Sequence, residues 1–315
     1  MAAVQSWLAV GLLLRFPAPC AAEGLRETQG RTSMQTEALR AMPLRTTVRL
    51  FLWSWLVTAS VVVPVRAAED AGFRVESQVF VNGAAEPVAR SLTLFRDGIA
   101  WDFLEPVAAK GGDRLTGGEI VLHDPARERV VLVDPVRNLK TQIDAIRLER
   151  LSVSLASWAR KSDDRLVRWA GGPDFGEGMT ESDDRIELVG PRVRYAIEFA
   201  TPPTAEAAGI YRRFADTAIL LKALVRPGGL PPFPRLAINR RVAAAGGIPT
   251  EVSLEIDSRA AMMAGRADML RCVHKFHPRL LSGDLSRIEE AESRVAVATQ
   301  VELAEFVAAP APDAE

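Results

Sequence analysis

From Phe73 to Ile143, apolar and polar residues alternate with period two, and each run ends in a turn-like break. That period places successive side chains on opposite faces of a strand, so the pattern predicts strands rather than helices. Phe73–Val81 reads as the first strand. Ser91–Phe95 and Ile99–Leu104 flank Arg96-Asp97-Gly98, whose Asp-Gly step is a hairpin signal. Glu119–His123 and Arg129–Val133 flank Asp124-Pro125-Ala126-Arg127, where proline presets the turn, and Leu139–Ile143 follows Asp134-Pro135. Links this short join antiparallel neighbours, which makes this region a meander.

Asp144 stands where an N-cap is expected, before a helix from Ala145 to about Ser162. Strands Arg185–Val189 and Arg194–Phe199 meet at Gly190-Pro191. A second helix spans Ala205–Val225, with Tyr211, Phe214, Ala218, Leu221 and Leu224 on one stripe. It stops at a segment with four prolines, Arg226 to Pro234, stiff enough to lie as a loop over another surface. Further strands are expected at Leu236–Ala243, Thr250–Ile256 and Met269–Phe276, and a helix within Leu280–Arg294 opening near Asp284. Val295–Phe306 fits neither period. The expected fold is α+β, with roughly nine or ten strands and about three helices, and no fixed-period repeat.

Ahead of this domain, Arg45 and Arg49 precede an uncharged run, Leu50–Val63, then Pro64-Val65-Arg66-Ala67-Ala68. A basic start, a short apolar stretch and small residues at the cut describe a secretory signal over 42–67, cleaved near Ala67. A membrane span needs about 20 apolar residues, more than this run supplies. Export signals act at a chain's start, so 1–41 reads as an extension ahead of the true initiator. The domain is then 69–307, with 308–315 a small Ala/Pro tail. Residues 1–67 hold seven basic and three acidic side chains. The remainder carries 32 basic and 37 acidic residues, a formal charge of −5, which excludes the basic footprint of a nucleic-acid binder. Cys20 leaves with the signal, so Cys272 is alone and stability rests on a core.

Trp101-Asp102-Phe103-Leu104-Glu105-Pro106, a Gly-rich turn, Glu119 to Arg127 and Leu132-Val133-Asp134-Pro135 resemble the central hairpins of the periplasmic lipoprotein-carrier superfamily (LolA/LolB-like). Gly247-Ile248-Pro249 followed by Thr250–Ile256 is similar to another step of that superfamily. The resemblance implies a curved antiparallel half-barrel, helices on its concave face, and an enclosed lipid or lipoprotein acyl chain. Val75, Leu92, Leu94, Trp101, Phe103, Val121, Val131 and Val133 would line that cavity, and the same residues would equally make an ordinary core. Ala205–Pro234 has no counterpart in the carriers, and would fill or gate the cavity.

Cys272, His274 and His277 form the one cluster of soft ligands, and a thiolate with two imidazoles suits zinc. On a strand, Cys272 and His274 share a face and His277 points away, so His123 or an acid would have to complete the set. There is no Gly-x-Ser-x-Gly elbow, and the adjacent pairs Asp163-Asp164 and Asp183-Asp184 do not provide two acids across a cleft. No cofactor is called for. Three readings stay open from the residues: a carrier of an apolar ligand, an envelope interaction protein with a filled core, and a hydrolase using Cys272 and His274.

Overall fold

The computed structural model describes residues 72–106, 118–226, 228–257 and 268–308. The signal expected at 42–67, the extension expected before it and all of the expected tail except Ala308 lie outside the described residues. The first six strands are the expected meander: β1 (Phe73–Val81), β2 (Ala89–Arg96), β3 (Ile99–Pro106), β4 (Ile120–Asp124), β5 (Arg129–Asp134) and β6 (Leu139–Asp144), each antiparallel to its predecessor. Asp97 and Gly98 both take positive φ, 52° and 76°, as a two-residue hairpin turn of the right twist requires. At the β4–β5 turn, the Asp124 carboxylate accepts from the Arg127 backbone N–H (3.2 Å) and from its guanidinium (2.9 Å).

Helices α1 (Ala145–Arg160) and α2 (Arg165–Ala170) follow, then β7 (Met179–Glu181), β8 (Arg185–Gly190) and β9 (Val193–Ala200). Asp144 occupies the cap position of α1 without a side-chain bond to it; its carboxylate instead accepts from Gln142. Asp164 is a working cap, accepting from Leu166 N–H (2.7 Å) and Val167 N–H (3.2 Å). Next come α3 (Ala205–Val225), α4 (Phe233–Ala244), β10 (Ile248–Ile256), β11 (Asp268–His277), α5 (Ser282–Val297), β12 (Thr299–Gln300) and α6 (Leu303–Ala308).

The twelve strands of the described residues lie in one open, curved sheet, ordered β12-β6-β5-β4-β3-β2-β1-β11-β10-β9-β8-β7. Two meanders are sewn together where β11 returns beside β1, with Val75 opposite Phe276 and Val79 opposite Cys272. The β12–β6 pair is parallel, so the sheet is mixed rather than wholly antiparallel. The described residues thus exceed the expected nine or ten strands and three helices, mainly through short elements.

One expected strand is a helix. Leu236–Ala243 alternates weakly in hydrophobicity, yet its buried residues within α4 are Pro234, Ile238, Asn239 and Val242, spaced by a helical turn. Proline in the first turn favours that start.

The register sorts every strand residue to a face. Phe73, Phe95, Ala100, His123, Val130 and Ile143 form one row across β1 to β6. This face is covered by α1 to α4 and α6, in three apolar clusters. The opposite face carries Leu94, Trp101, Leu122 and Val131, and α5 packs on it through Ile288 and Ala291. The expectation that the helices share one face is therefore corrected. Farther along, over β8 to β11, this second face holds ion pairs such as Arg185–Glu198, Arg194–Glu187 and Arg271–Glu251. Having no apolar stripe there, it faces water without a helix.

Candidate functional site

The eight residues expected to line a cavity do not share a surface. Val75 and Val121 point to the face under α3, whereas Leu92, Leu94, Trp101, Phe103, Val131 and Val133 belong to the layer under α5. Leu94, Trp101, Val131 and Val133 are at most 2% exposed, so they are filled core. Period two ranks residues into alternate sets; which set belongs to which layer depends on where the helices dock.

The helix-covered face has a different character. At one end, Ala207, Ala208, Tyr211, Phe214 and Ala215 of α3 seat on Phe73, Val75, Phe95 and Ala100, and bury them. Small residues at positions 207 and 208 let the helix approach, and Phe95 meets Phe214 edge to face at 5.4 Å. Beyond that seat the cover divides. The end of α3 turns toward β4 and β5, where Leu221 packs with Val121 and Leu132. Helix α4 lies over β8 and β9, where Ile238 and Val242 pack with Ile197 and Tyr195.

Between them, the middle strands keep accessible surface on this face. Val79, Ser91 and Leu104 of β1 to β3, and Val252, Leu254 and Leu270 of β10 and β11, are half-buried, although their side chains point toward the helices. Titratable groups beside them are nonetheless desolvated. Burial pushes the Cys272 thiol up to about 11. It pulls His274 down to about 3 and Lys222 of α3 down to about 8. These half-buried, desolvated groups stand on a stretch of the sheet that the helices cover only in part, with Val252 and Leu254 packed at the edge of the β8–β9 cluster and Leu104 at that of the β4–β5 cluster; this partly covered stretch is termed the recess. In the proline-rich segment, Arg226 interacts electrostatically with Glu119 ahead of β4, Leu230 packs against the β8–β9 cluster, and Pro231 and Pro232 are buried.

The recess is apolar with a polar patch. His274 Nδ1 lies 2.8 Å from Ser77 Oγ, and its ring stands edge to face with Tyr211 at 6.2 Å. Asp102 is 5% exposed and accepts from Thr93 Oγ1 at 2.8 Å; burial, with no cation in contact, raises its carboxyl to about 6. Burial likewise raises Glu119 to about 7, and Tyr195 to about 12. His123 contacts Thr217 at 3.2 Å and is lowered to about 4 by burial and then by Arg213.

Cys272 and His274 do share this face, and His277 lies on the other, opposite Arg74 and 3.5 Å from Glu76. His123 stands by α3 rather than by Cys272. Among the described residues no three His, Cys, Asp or Glu side chains converge on a point that would hold a metal. A thiol with a raised pKa is a poor nucleophile, the reverse of what covalent catalysis selects.

Arg235 and Lys222 escaped the sequence reading. Arg235 sits one turn before Ile238 and two before Val242 on the inward stripe of α4, and Lys222 one turn after Ala218 on that of α3. A cation interrupting an apolar stripe is the signal that would have marked them, once 233–244 is read as helix.

No described helix is long and apolar enough to cross a membrane. No family model matches the chain, and no curated protein matches its sequence. Among solved structures, the chain is similar to the crystal structure of a LolA superfamily protein from Nitrosomonas europaea. The identity is 9%, the match covers 69% of this chain and 89% of that one, and the TM-score is 0.25.

Proposed function

We propose that the protein is a non-enzymatic exported binding or carrier protein for an apolar ligand such as a lipid or a lipoprotein acyl chain. The observation that carries this reading is the set of half-buried apolar side chains on the helix-covered face, Val79, Leu104, Val252, Leu254 and Leu270, which keep accessible surface among the described residues and which we read as the wall of a recess. Apolar area left uncovered in a protein interior forgoes about 25 cal/mol for each Å² that a ligand would bury, which makes such a recess a binding site. The shielded Cys272 thiol and the neutral His274 favour binding over hydrolysis, and the secretory pattern at 42–67 supports a location in the cell envelope. Native mass spectrometry of the purified protein, with organic extraction of what copurifies, tests the reading, together with titration by the neutral fluorescent probe N-phenyl-1-naphthylamine. A lipid at defined stoichiometry, or saturable probe uptake, is expected. A clean unliganded mass without probe uptake refutes it and leaves an envelope interaction protein with a filled core.

A further inference from the structure

Resting on the apolar-ligand reading, we propose that the ligand is a single-chain amphiphile with a carboxylate head, and that Arg235 pairs with that head inside the recess. Arg235 stands in the first turn of α4, the helix whose Ile238 and Val242 pack on Tyr195 with Val252 and Leu254 beside them, and it interacts electrostatically with Tyr195 of β9, Tyr211 of α3, and Cys272 and His274 of β11. Its Nη1 is buried and has no hydrogen-bond partner among the described residues. The acid within its electrostatic reach is Asp216, which is already engaged by Asn239 Nδ2 at 2.8 Å and Arg212 Nε at 3.5 Å. Asp102, the other nearby acid on this face, is held by Thr93 and Ser91.

Arg235 is half-buried, and a guanidinium nitrogen taken out of water with an unmet donor is costly, so proteins hold one where something completes it. Burial lowers the Arg235 pKa, the mark of a cation lacking a close counter-ion. The tyrosines, the thiol and the imidazole with which it interacts are neutral near pH 7, and Lys222, which also interacts electrostatically with Cys272, adds a second cation. The site therefore presents positive charge at its polar patch and aliphatic walls beside it: Leu254 pairs across the sheet with Tyr195 and Leu270, and Val252 with Cys272. A planar carboxylate matches the two-pronged guanidinium, and an alkyl tail matches the walls.

The experiment compares dodecanoate with 1-dodecanol at pH 8 by displacement of the neutral naphthylamine probe, in the unaltered protein and in Arg235→Gln and Arg235→Lys. Dodecanoate is expected to bind about 10-fold to 100-fold more tightly than the alcohol, as one charge-assisted hydrogen-bonded pair provides. Arg235→Gln is expected to abolish that preference, and Arg235→Lys to keep part of it. A reading on the unaltered protein needs no variant to fold: the carboxyl carbon of ¹³C-labelled dodecanoate should titrate below its free value when bound, because a paired cation favours the ionised form. Titration above the free value, or equal affinity for acid and alcohol, overturns the Arg235 assignment and leaves the apolar-ligand reading standing. Failure of both amphiphiles and of the probe to bind overturns both.

Discussion

Asp102→Asn should stabilise the protein at neutral pH, an unusual outcome for altering a buried residue. The Asp102 carboxyl sits on the helix-covered face of β3, 5% exposed, with hydroxyl donors from Thr93 and Ser91 and no cation in contact among the described residues. Its pKa is raised from 3.8 to about 6 by burial. An acid whose folded pKa is raised binds its proton more tightly when folded, so the stability it contributes is present below pH 4 and lost as pH rises through 6. The gap of about two pH units, at about 1.36 kcal/mol each, is a penalty of roughly 3 kcal/mol at pH 7. Asparagine keeps the shape and an acceptor for Thr93, can donate to Ser91, and removes the charge. Urea unfolding of both proteins from pH 4 to pH 8 measures the difference. The two stabilities should converge near pH 4 and separate to between about 1 and 3 kcal/mol in favour of the asparagine variant by pH 7, where the lower figure allows for relaxation around the ionised group. A difference independent of pH, or an asparagine variant less stable at pH 7 than at pH 4 relative to the parent, would refute the reasoning.

Other expectations concern packing, helix docking and the recess. Gly190→Ala would place a Cβ 2.4 Å from the Trp169 ring, so a loss of about 1–3 kcal/mol is expected in urea melts, with a shifted tryptophan emission maximum. Asp284→Ala removes both 3.1 Å contacts with Arg74 and the 2.8 Å bond from Leu281 N–H, which together tie α5 to β1. Because Glu76 still pairs with Arg74, the loss should fall at the lower end of the roughly 3–5 kcal/mol typical of a broken buried pair, and hydrogen exchange should quicken in Ser282–Val297 first. Cys272, raised from 9.0 to about 11, should react with iodoacetamide at pH 8 about 100-fold more slowly than an ordinary thiol. Its alkylation should block uptake of the naphthylamine probe; undiminished uptake by the fully alkylated protein would move the ligand away from this part of the recess.

Local chemistry made much of the fold legible. Asp97-Gly98 and Pro125 announced their turns, and a short turn can join only antiparallel neighbours, so β1 to β6 followed from the chain alone. The stripe from Tyr211 to Leu224 located α3, because one apolar face of a long helix has a period that no strand imitates. Tertiary structure decided the rest. Residues 236–243 carry apolar side chains at both two-residue and four-residue spacing, and only the docking of Ile238 and Val242 onto β8 and β9 selects the helix. Alternation separates Trp101 from Asp102 but is symmetric between the faces of a sheet, so it could not say that Trp101 lies beneath α5 and Asp102 beneath α3. The pairing of β1 with β11, distant in the chain, brings Ser77 to His274, and the approach of α4 brings Arg235 toward Cys272. Periodicity describes each element against its own axis; a recess belongs to the space between elements, and that space exists only once they have docked.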